Sequence, residues 1–303
     1  MNKPDGDKAA APTSQTPGKP HASAPPHDKV ATPTIPKAPA WYRTLRADPP
    51  LQIRLAIAGG FLAVLLFLWW FVTRGSATDA IISPSKVPSP GAVFSSFSKL
   101  QDRGLGDAIA ATLARVLQGV GLAAVVGIVL GVAAGALRSV AAALGPVVIF
   151  LRSIPMGAML PLMLVLFSTG EKQKVMFIFF AVVPFVFSDT MKAVASVPER
   201  FVETAKTLGA SNGQILSKVL VPLALPDIIT SLRFQFGLAL GYVMLAEAID
   251  TPHGIGRMLG DGERRGLIEN NYLLLFIIAL LAFAIDLIIR TLQRGAFPYR
   301  KDL

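Results

Sequence analysis

The sequence predicts an all-α polytopic membrane protein with six transmembrane helices, and three observations carry that prediction. The first is composition. Of 303 residues, 52% are hydrophobic and 16% charged, against roughly 25% charged in an ordinary soluble domain. So few charges cannot coat a water-facing surface, which excludes a soluble enzyme. The second is the presence of six apolar runs, each near the roughly 20 residues a helix needs to cross a hydrocarbon core of about 30 Å. The third is what the runs lack. There is no cysteine, and His21, His27 and His253 all lie outside the apolar runs. Disulfides, Cys-ligated metals, a thiol nucleophile and a His-based intramembrane site are therefore excluded, and no cofactor or metal is expected.

Residues 1–40 hold nine of the 23 prolines and show no apolar periodicity. Such a segment cannot offset its ordering entropy, so it is expected to be a disordered tail. The transmembrane domain is expected over 41–303, entered through an interfacial stretch of Trp41, Tyr42, Arg43, Leu45 and Arg46. The predicted spans are 55–72, 116–137, 153–170 (with a shorter apolar stretch at 139–151 before it), 175–197, 228–248 and 272–289.

The net charge of +10 would point to nucleic acid in a soluble protein. Here most cations flank apolar runs and are read as topology determinants and lipid contacts, with no nucleic-acid partner. With both termini on the cytoplasmic side, inside segments carry 17 Lys and Arg and outside loops nine. That bias supports both termini inside.

Gly119, Ala123, Gly127, Gly131 and Gly135 recur at a spacing of four in the second span. This is one smooth helix face for close approach. Gly237 and Gly241 are expected to do the same in the fifth. Pro155, Pro161 and Pro184 allow kinks in the third and fourth.

Between the fourth and fifth spans, residues 198–222 read as helix, turn, helix. Pro198 and Glu199 suit a first turn, and Phe201, Val202, Ala205 and Leu208 form an apolar face. Gly209 suits a helix end and Ser211 an N-cap. Ile215, Leu216, Val219 and Leu220 make a second apolar face, and Pro222 is expected to stop the helix.

This loop resembles the EAA loop of ABC-transporter permeases: Glu-Ala-Ala, three residues, Gly, nine residues, Ile, one residue, Leu-Pro. Glu203, Ala205, Gly209, Val219, Val221 and Pro222 fall at those spacings. Thr204 replaces the middle alanine, and valines replace the Ile and the Leu. Thr112-Leu113 with Arg115 and Leu117, and Leu151-Arg152 before Pro155, are similar to the same domain. Val87-Pro88-Ser89-Pro90, Leu208-Gly209-Ala210-Ser211, and Ala246-Glu247 with Gly254-Ile255-Gly256 are similar to its nitrate/sulfonate/taurine branch. The resemblance covers roughly residues 50–298.

The resemblance implies a type I importer permease fold in a bacterial inner membrane. It implies a permease homodimer, a separate ABC ATPase, and a periplasmic or lipid-anchored solute-binding protein. Glu203, Ala205, Gly209, Val219 and Pro222 would then contact the ATPase. The cargo would be a small anionic solute such as nitrate, a sulfonate or taurine. ATP hydrolysis falls to the partner, because the chain's Gly18-Lys19-Pro20 is no phosphate-binding loop.

Charges inside spans are costly and mark function or pairing. Asp189 with Lys192, and Asp286 with Arg290, have the spacing to pair along one helix. Arg115, Arg233 and Glu247 are the candidates for a substrate path. A secondary transporter not driven by ATP is the alternative class. It would call for internal repeats and paired broken helices, and would leave the EAA loop without a role. An intramembrane enzyme built on Ser153, Ser168 or Ser188 lacks a membrane histidine as base.

Overall fold

The computed structural model describes residues 48–75 and 82–299, and every regular element among them is helical. The expected tail (1–40) and the lead-in at Trp41 lie outside the described residues. The chain divides into two compact units, residues 1–60 and 61–303. The described part of the first, 48–60, enters helix α1 (Leu51–Thr73) and is solvent- or lipid-exposed almost throughout. The second unit continues α1 and adds α2 (Pro90–Asp102), α3 (Leu105–Ala136), α4 (Arg138–Ser153), α5 (Met156–Phe167) and α6 (Glu171–Ala195). It ends with α7 (Glu199–Thr207), α8 (Asn212–Ile215), α9 (Val221–Glu247), α10 (Ile255–Arg264) and α11 (Ile268–Ala296).

Among the described residues, five helices are long and apolar enough to cross a membrane: α1, α3, α6, the continuous Asn212–Glu247 helix and α11. The sixth expected span is different. Instead of one helix over 153–170, α4 and α5 meet at 102° and pass the test only together. Pro155 explains the break. It pushes Ile154 into extended backbone (φ −76°, ψ 124°) and offers no N–H to carry the helix on. Pro161 and Pro184, by contrast, sit inside α5 and α6 without ending them.

The glycine face of α3 builds the core. A Cβ on Gly119, Gly127, Gly131 or Gly135 would lie 2.6–2.8 Å from the side chain of Ile178, Val186, Thr190 or Val194 respectively. The α6 partners are all β-branched, so their rotamers are stiff and fit a smooth groove. Partner numbers rise together, so α3 and α6 run parallel in register along four turns. Val116, Val120, Ala123, Val182 and Ala239 bury fully around this seam. Gly237 and Gly241 do not repeat the idea within the chain. A Cβ there would meet nothing within 4 Å, and Phe234, Leu238 and Leu245 on the same side of α9 are exposed.

Helix α9 returns antiparallel to α6, and α11 runs antiparallel to α9. Gln293 near the end of α11 donates to the Pro226 carbonyl (2.8 Å) and the Thr230 hydroxyl (2.7 Å) near the start of α9. The unit therefore has two distinct ends. One carries α7 and α8; the other carries the starts of α3, α6 and α11, the end of α9, and α10.

Candidate functional site

The loop end is built by two matched caps. Helix α7 stops because Gly209 takes φ +79°. The Gly209 N–H reaches the Lys206 carbonyl (2.9 Å) and the Ala210 N–H the Ala205 carbonyl (3.0 Å), the paired bonds of a Schellman end. Helix α8 starts at Ser211, whose hydroxyl accepts from the Gln214 N–H while the Ser211 N–H donates to the Gln214 side chain. This is a capping box.

The second helix does not stop at Pro222 as expected. It passes through a π turn, Leu216–Leu220, straight into α9. The Val221 N–H bonds back five residues to the Leu216 carbonyl. The widened turn relieves the clash a proline ring makes with the preceding turn, so Pro222 is accommodated inside the continuous helix. The lever from the loop into the membrane is therefore unbroken.

Ala205 and Val219 are half-buried, while Glu203, Gly209 and Pro222 are exposed. Two apolar residues are left uncovered here, Phe201 of α7 (39% exposed) and Leu208 at its C-cap (82%). The expected apolar face of α7 is thus split. Val202 and Ala205 turn partly inward, and Phe201 and Leu208 turn out.

The opposite end buries charge instead. The Arg115 side chain, 4% exposed, makes a fork to Glu171 (Nε–Oε2 and Nη2–Oε1, both 2.6 Å). Its Nη1 donates to Glu247 Oε1 (2.7 Å) and to the His253 carbonyl (2.7 Å). Glu247 is wholly buried and also receives the Thr112 hydroxyl (2.9 Å) and the Gly256 N–H (2.9 Å). The Thr112 hydroxyl in turn accepts the Ile255 N–H (3.0 Å). Lys174, also buried, donates to the carbonyls of Gly170 (3.1 Å) and Asp250 (3.3 Å).

The Gly254-Ile255-Gly256 run owes its glycines to this node. A Cβ at Gly254 would lie 2.5 Å from the Glu247 carboxylate, and one at Gly256 2.7 Å from the Met244 carbonyl. The sequence analysis singled out Arg115 and Glu247, and the structure brings them together. It missed Thr112, Glu171 and Lys174 as partners. A glutamate opening a span was the available signal for Glu171, Thr112 was marked only as part of the motif around Arg115, and nothing local marks Lys174.

Arg233 lies elsewhere, on α9 nearer the loop end, 2.9 Å from Asp286 of α11. Asp286 thus pairs across helices rather than with Arg290. Asp189 likewise takes the Ser231 hydroxyl (2.7 Å) and the Gln235 amide (3.3 Å) of α9 rather than Lys192. Helix spacing allowed the local pairs, but the α6–α9 and α9–α11 interfaces place partners in apolar surroundings where an unpaired charge costs more.

Around α10 a cavity of about 430 Å³ is lined by Arg103, His253, Arg257 and Arg265, with Asp261 as its one carboxylate. Arg257 is held by the Thr251 carbonyl (2.8 Å) and the Pro252 carbonyl.

Among the described residues there are five helices long and apolar enough to span a membrane, a bent pair that can make a sixth span, a capped helix pair between two spans, and no strand. Residues 125–298 match the family described as binding-protein-dependent transport system inner membrane component. The chain belongs to that family: it is a multi-pass permease subunit of an ABC importer and not itself an enzyme. The ATPase and the solute-binding protein are separate partners. The taurine transport system permease protein TauC of Escherichia coli (strain K12) is 32% identical over 86% of this chain and 96% of its own length. The nitrate import permease protein NrtB of Synechocystis is 32% identical over 82% and 90%. The putative aliphatic sulfonates permease SsuC of Bacillus subtilis is 26% identical over 80% and 88%. Among solved structures, an inward-facing MetNI methionine ABC transporter is 25% identical, with a TM-score of 0.51 over 64% of this chain and 94% of that one. An amino acid ABC transporter shares the fold at 17% identity and a TM-score of 0.54, over 68% and 98%.

Proposed function

We propose that this chain forms half of the translocation path for a small oxyanion-bearing solute, of the nitrate, sulfonate or taurine kind, and takes its drive from the ATPase through α7 and α8. The observation that carries the coupling role is the exposed pair Phe201 and Leu208 on a helix pair that is capped at both sides of Gly209. Uncovered apolar side chains beside water mark a docking surface, and the unbroken path into α9 gives docking a mechanical outlet. Glu203, Ala205, Gly209, Val219 and Pro222 are assigned to that contact.

An anionic cargo is supported by the relatives' substrates and by the arginine-lined cavity at the opposite end. Of the three charged candidates for a substrate path, Arg233 is retained. Its guanidinium has one carboxylate partner, Asp286, whose side chain is 41% exposed and so leaves the pair open to exchange with an anion. Arg115 and Glu247 satisfy one another. Both termini are placed on the cytoplasmic side, with lipid around the exposed apolar faces. The α9 strip of Phe234, Gly237, Leu238, Gly241 and Leu245 is assigned to a second copy of the chain, since its glycines leave a groove that no described residue fills.

The test is reconstitution of the chain with its ATPase and its cognate binding protein in vesicles. Uptake is expected only with ATP inside the ATPase compartment and binding protein opposite, and ligand binding to that protein names the solute. Uptake that persists without ATP would overturn the ATP-driven coupling through α7 and α8.

A further inference from the structure

We infer that Arg115, Glu247 and Thr112 are positioning residues that clamp the start of α10 onto α3 and α9, so that α10 moves with the α3–α6–α9 core, and that Arg115 and Glu247 do not bind cargo.

The donors and acceptors of the node are spent on the protein itself. Arg115 uses Nε, Nη1 and Nη2 on two carboxylates and a carbonyl. Glu247, with no accessible surface, accepts from Arg115, Thr112 and Gly256. An incoming anion would have to displace the Glu171 carboxylate, 59% exposed, that already fills the fork, while Nη1 stays held by the wholly buried Glu247. What the node does hold is the first turn of α10. Helix starts leave backbone N–H groups without partners, and here two of them, Ile255 and Gly256, are taken by Thr112 of α3 and Glu247 of α9. The negative charge also suits a helix N-terminus. Glycines at 254 and 256 let the turn approach to within contact of the Glu247 side chain.

The other half of the clamp is the rest of the fold. Helix α3 is zipped to α6 along the glycine seam, α6 is joined to α7 by the three-residue turn 196–198, and α9 grows without a break from α8. Both routes from the coupling loop to the far end therefore pass through residues that grip α10. A rigid-body shift begun at the loop reaches α10 through packed elements rather than through a flexible link.

The first arm of the test is hydrogen–deuterium exchange on the permease–ATPase complex in lipid nanodiscs, with Thr112→Val, Thr112→Ser and Arg115→Lys. Amides 255–264 should exchange about tenfold faster in Thr112→Val and Arg115→Lys, the scale of one buried hydrogen bond lost. Amides 119–135 should stay protected, and Thr112→Ser, which keeps the hydroxyl, should behave as the parent. Unchanged protection of 255–264 in Thr112→Val overturns the inference, as does an equal loss over 119–135, which would make the node a general stability element. Should Arg115→Lys not insert, the Thr112 pair decides alone. The second arm is ATP hydrolysis. Stimulation by the binding protein should fall in Thr112→Val while hydrolysis without it is unchanged; full stimulation with a loosened α10 overturns the transmission. The exchange arm holds whatever the protein transports, so its failure is separable from failure of the importer reading.

Discussion

The two ends of the helical unit treat polar and apolar groups in opposite ways. At the α7–α8 end, apolar Phe201 and Leu208 stand in the open while the backbone is tied down by local caps. At the α10 end, charged Arg115, Lys174 and Glu247 are hidden, and the bonds that satisfy them span up to 138 residues of sequence. Local caps make a small element rigid without a core, which suits a surface that must fit another protein. Long-range buried ion pairs do the reverse: they bind separate helices into one body, and are costly when incomplete.

The largest expected effect follows from that contrast. Glu247→Ala removes the acceptor for Arg115, Thr112 and the Gly256 N–H together. Breaking a buried pair from one side costs about 3–5 kcal/mol. The variant should show a markedly lower unfolding midpoint in detergent titration and lower membrane abundance. A midpoint equal to the parent's would mean that the far end is not held by charge at all.

Next in size is the seam. Gly127→Leu puts a side chain where even a Cβ would be 2.8 Å from Val186. Overpacking of this kind costs about 1–3 kcal/mol or more, and α3 and α6 must part. Gly237→Leu, where nothing lies within 4 Å, should leave the unfolding midpoint of the single chain unchanged and act only on association of copies. Native mass spectrometry and detergent unfolding of both variants check this. Equal losses in the two would erase the distinction between inner and outer glycine faces.

What the sequence made legible, and what it did not, divides along the same line. The glycine stripe of α3, the Gly209 turn and the Ser211 cap are local patterns, and the structure realises each of them. The π turn at 216–220 was not legible, because a proline after an apolar helix reads as a stop unless the turn before it is known to widen. The bend at Pro155 was half legible: the proline was visible, but its effect depends on whether neighbouring helices hold the chain straight, as they do at Pro184. The partners of Arg115, Asp189 and Asp286 were beyond reach, since helix spacing offers only neighbours on the same helix while the actual partners lie on other ones.

At the loop end the effects shift from stability to function. Gly209→Trp forces a left-handed backbone on a residue with a Cβ, at about 1–2 kcal/mol, although a Cβ at that position meets nothing within 4 Å. The protein should insert normally and lose ATP-driven uptake and ATPase co-purification. Gly209→Asn, which tolerates the left-handed region, should keep much of both. Normal uptake in the tryptophan variant would remove the coupling role from this turn.

The smallest expected effect on the fold, and the sharpest probe of the loop, is Glu203→Lys. Glu203 is exposed on α7 and takes part in none of the ion pairs among the described residues. An exposed substitution away from such partners changes stability by about 0.5 kcal/mol at most, so the unfolding midpoint should not move. Arg200 and Lys206 lie three residues away on either side, so the reversal turns a mixed helix face into a basic one, and any consequence is felt by whatever docks there. If the ATPase meets this face with cations, uptake should fall and the loss should shrink as salt rises, because repulsion between exposed charges is screened over about 8–10 Å at physiological ionic strength. A salt-independent loss would point to shape rather than charge at this position. No loss would confine the docking surface to the apolar residues Phe201 and Leu208.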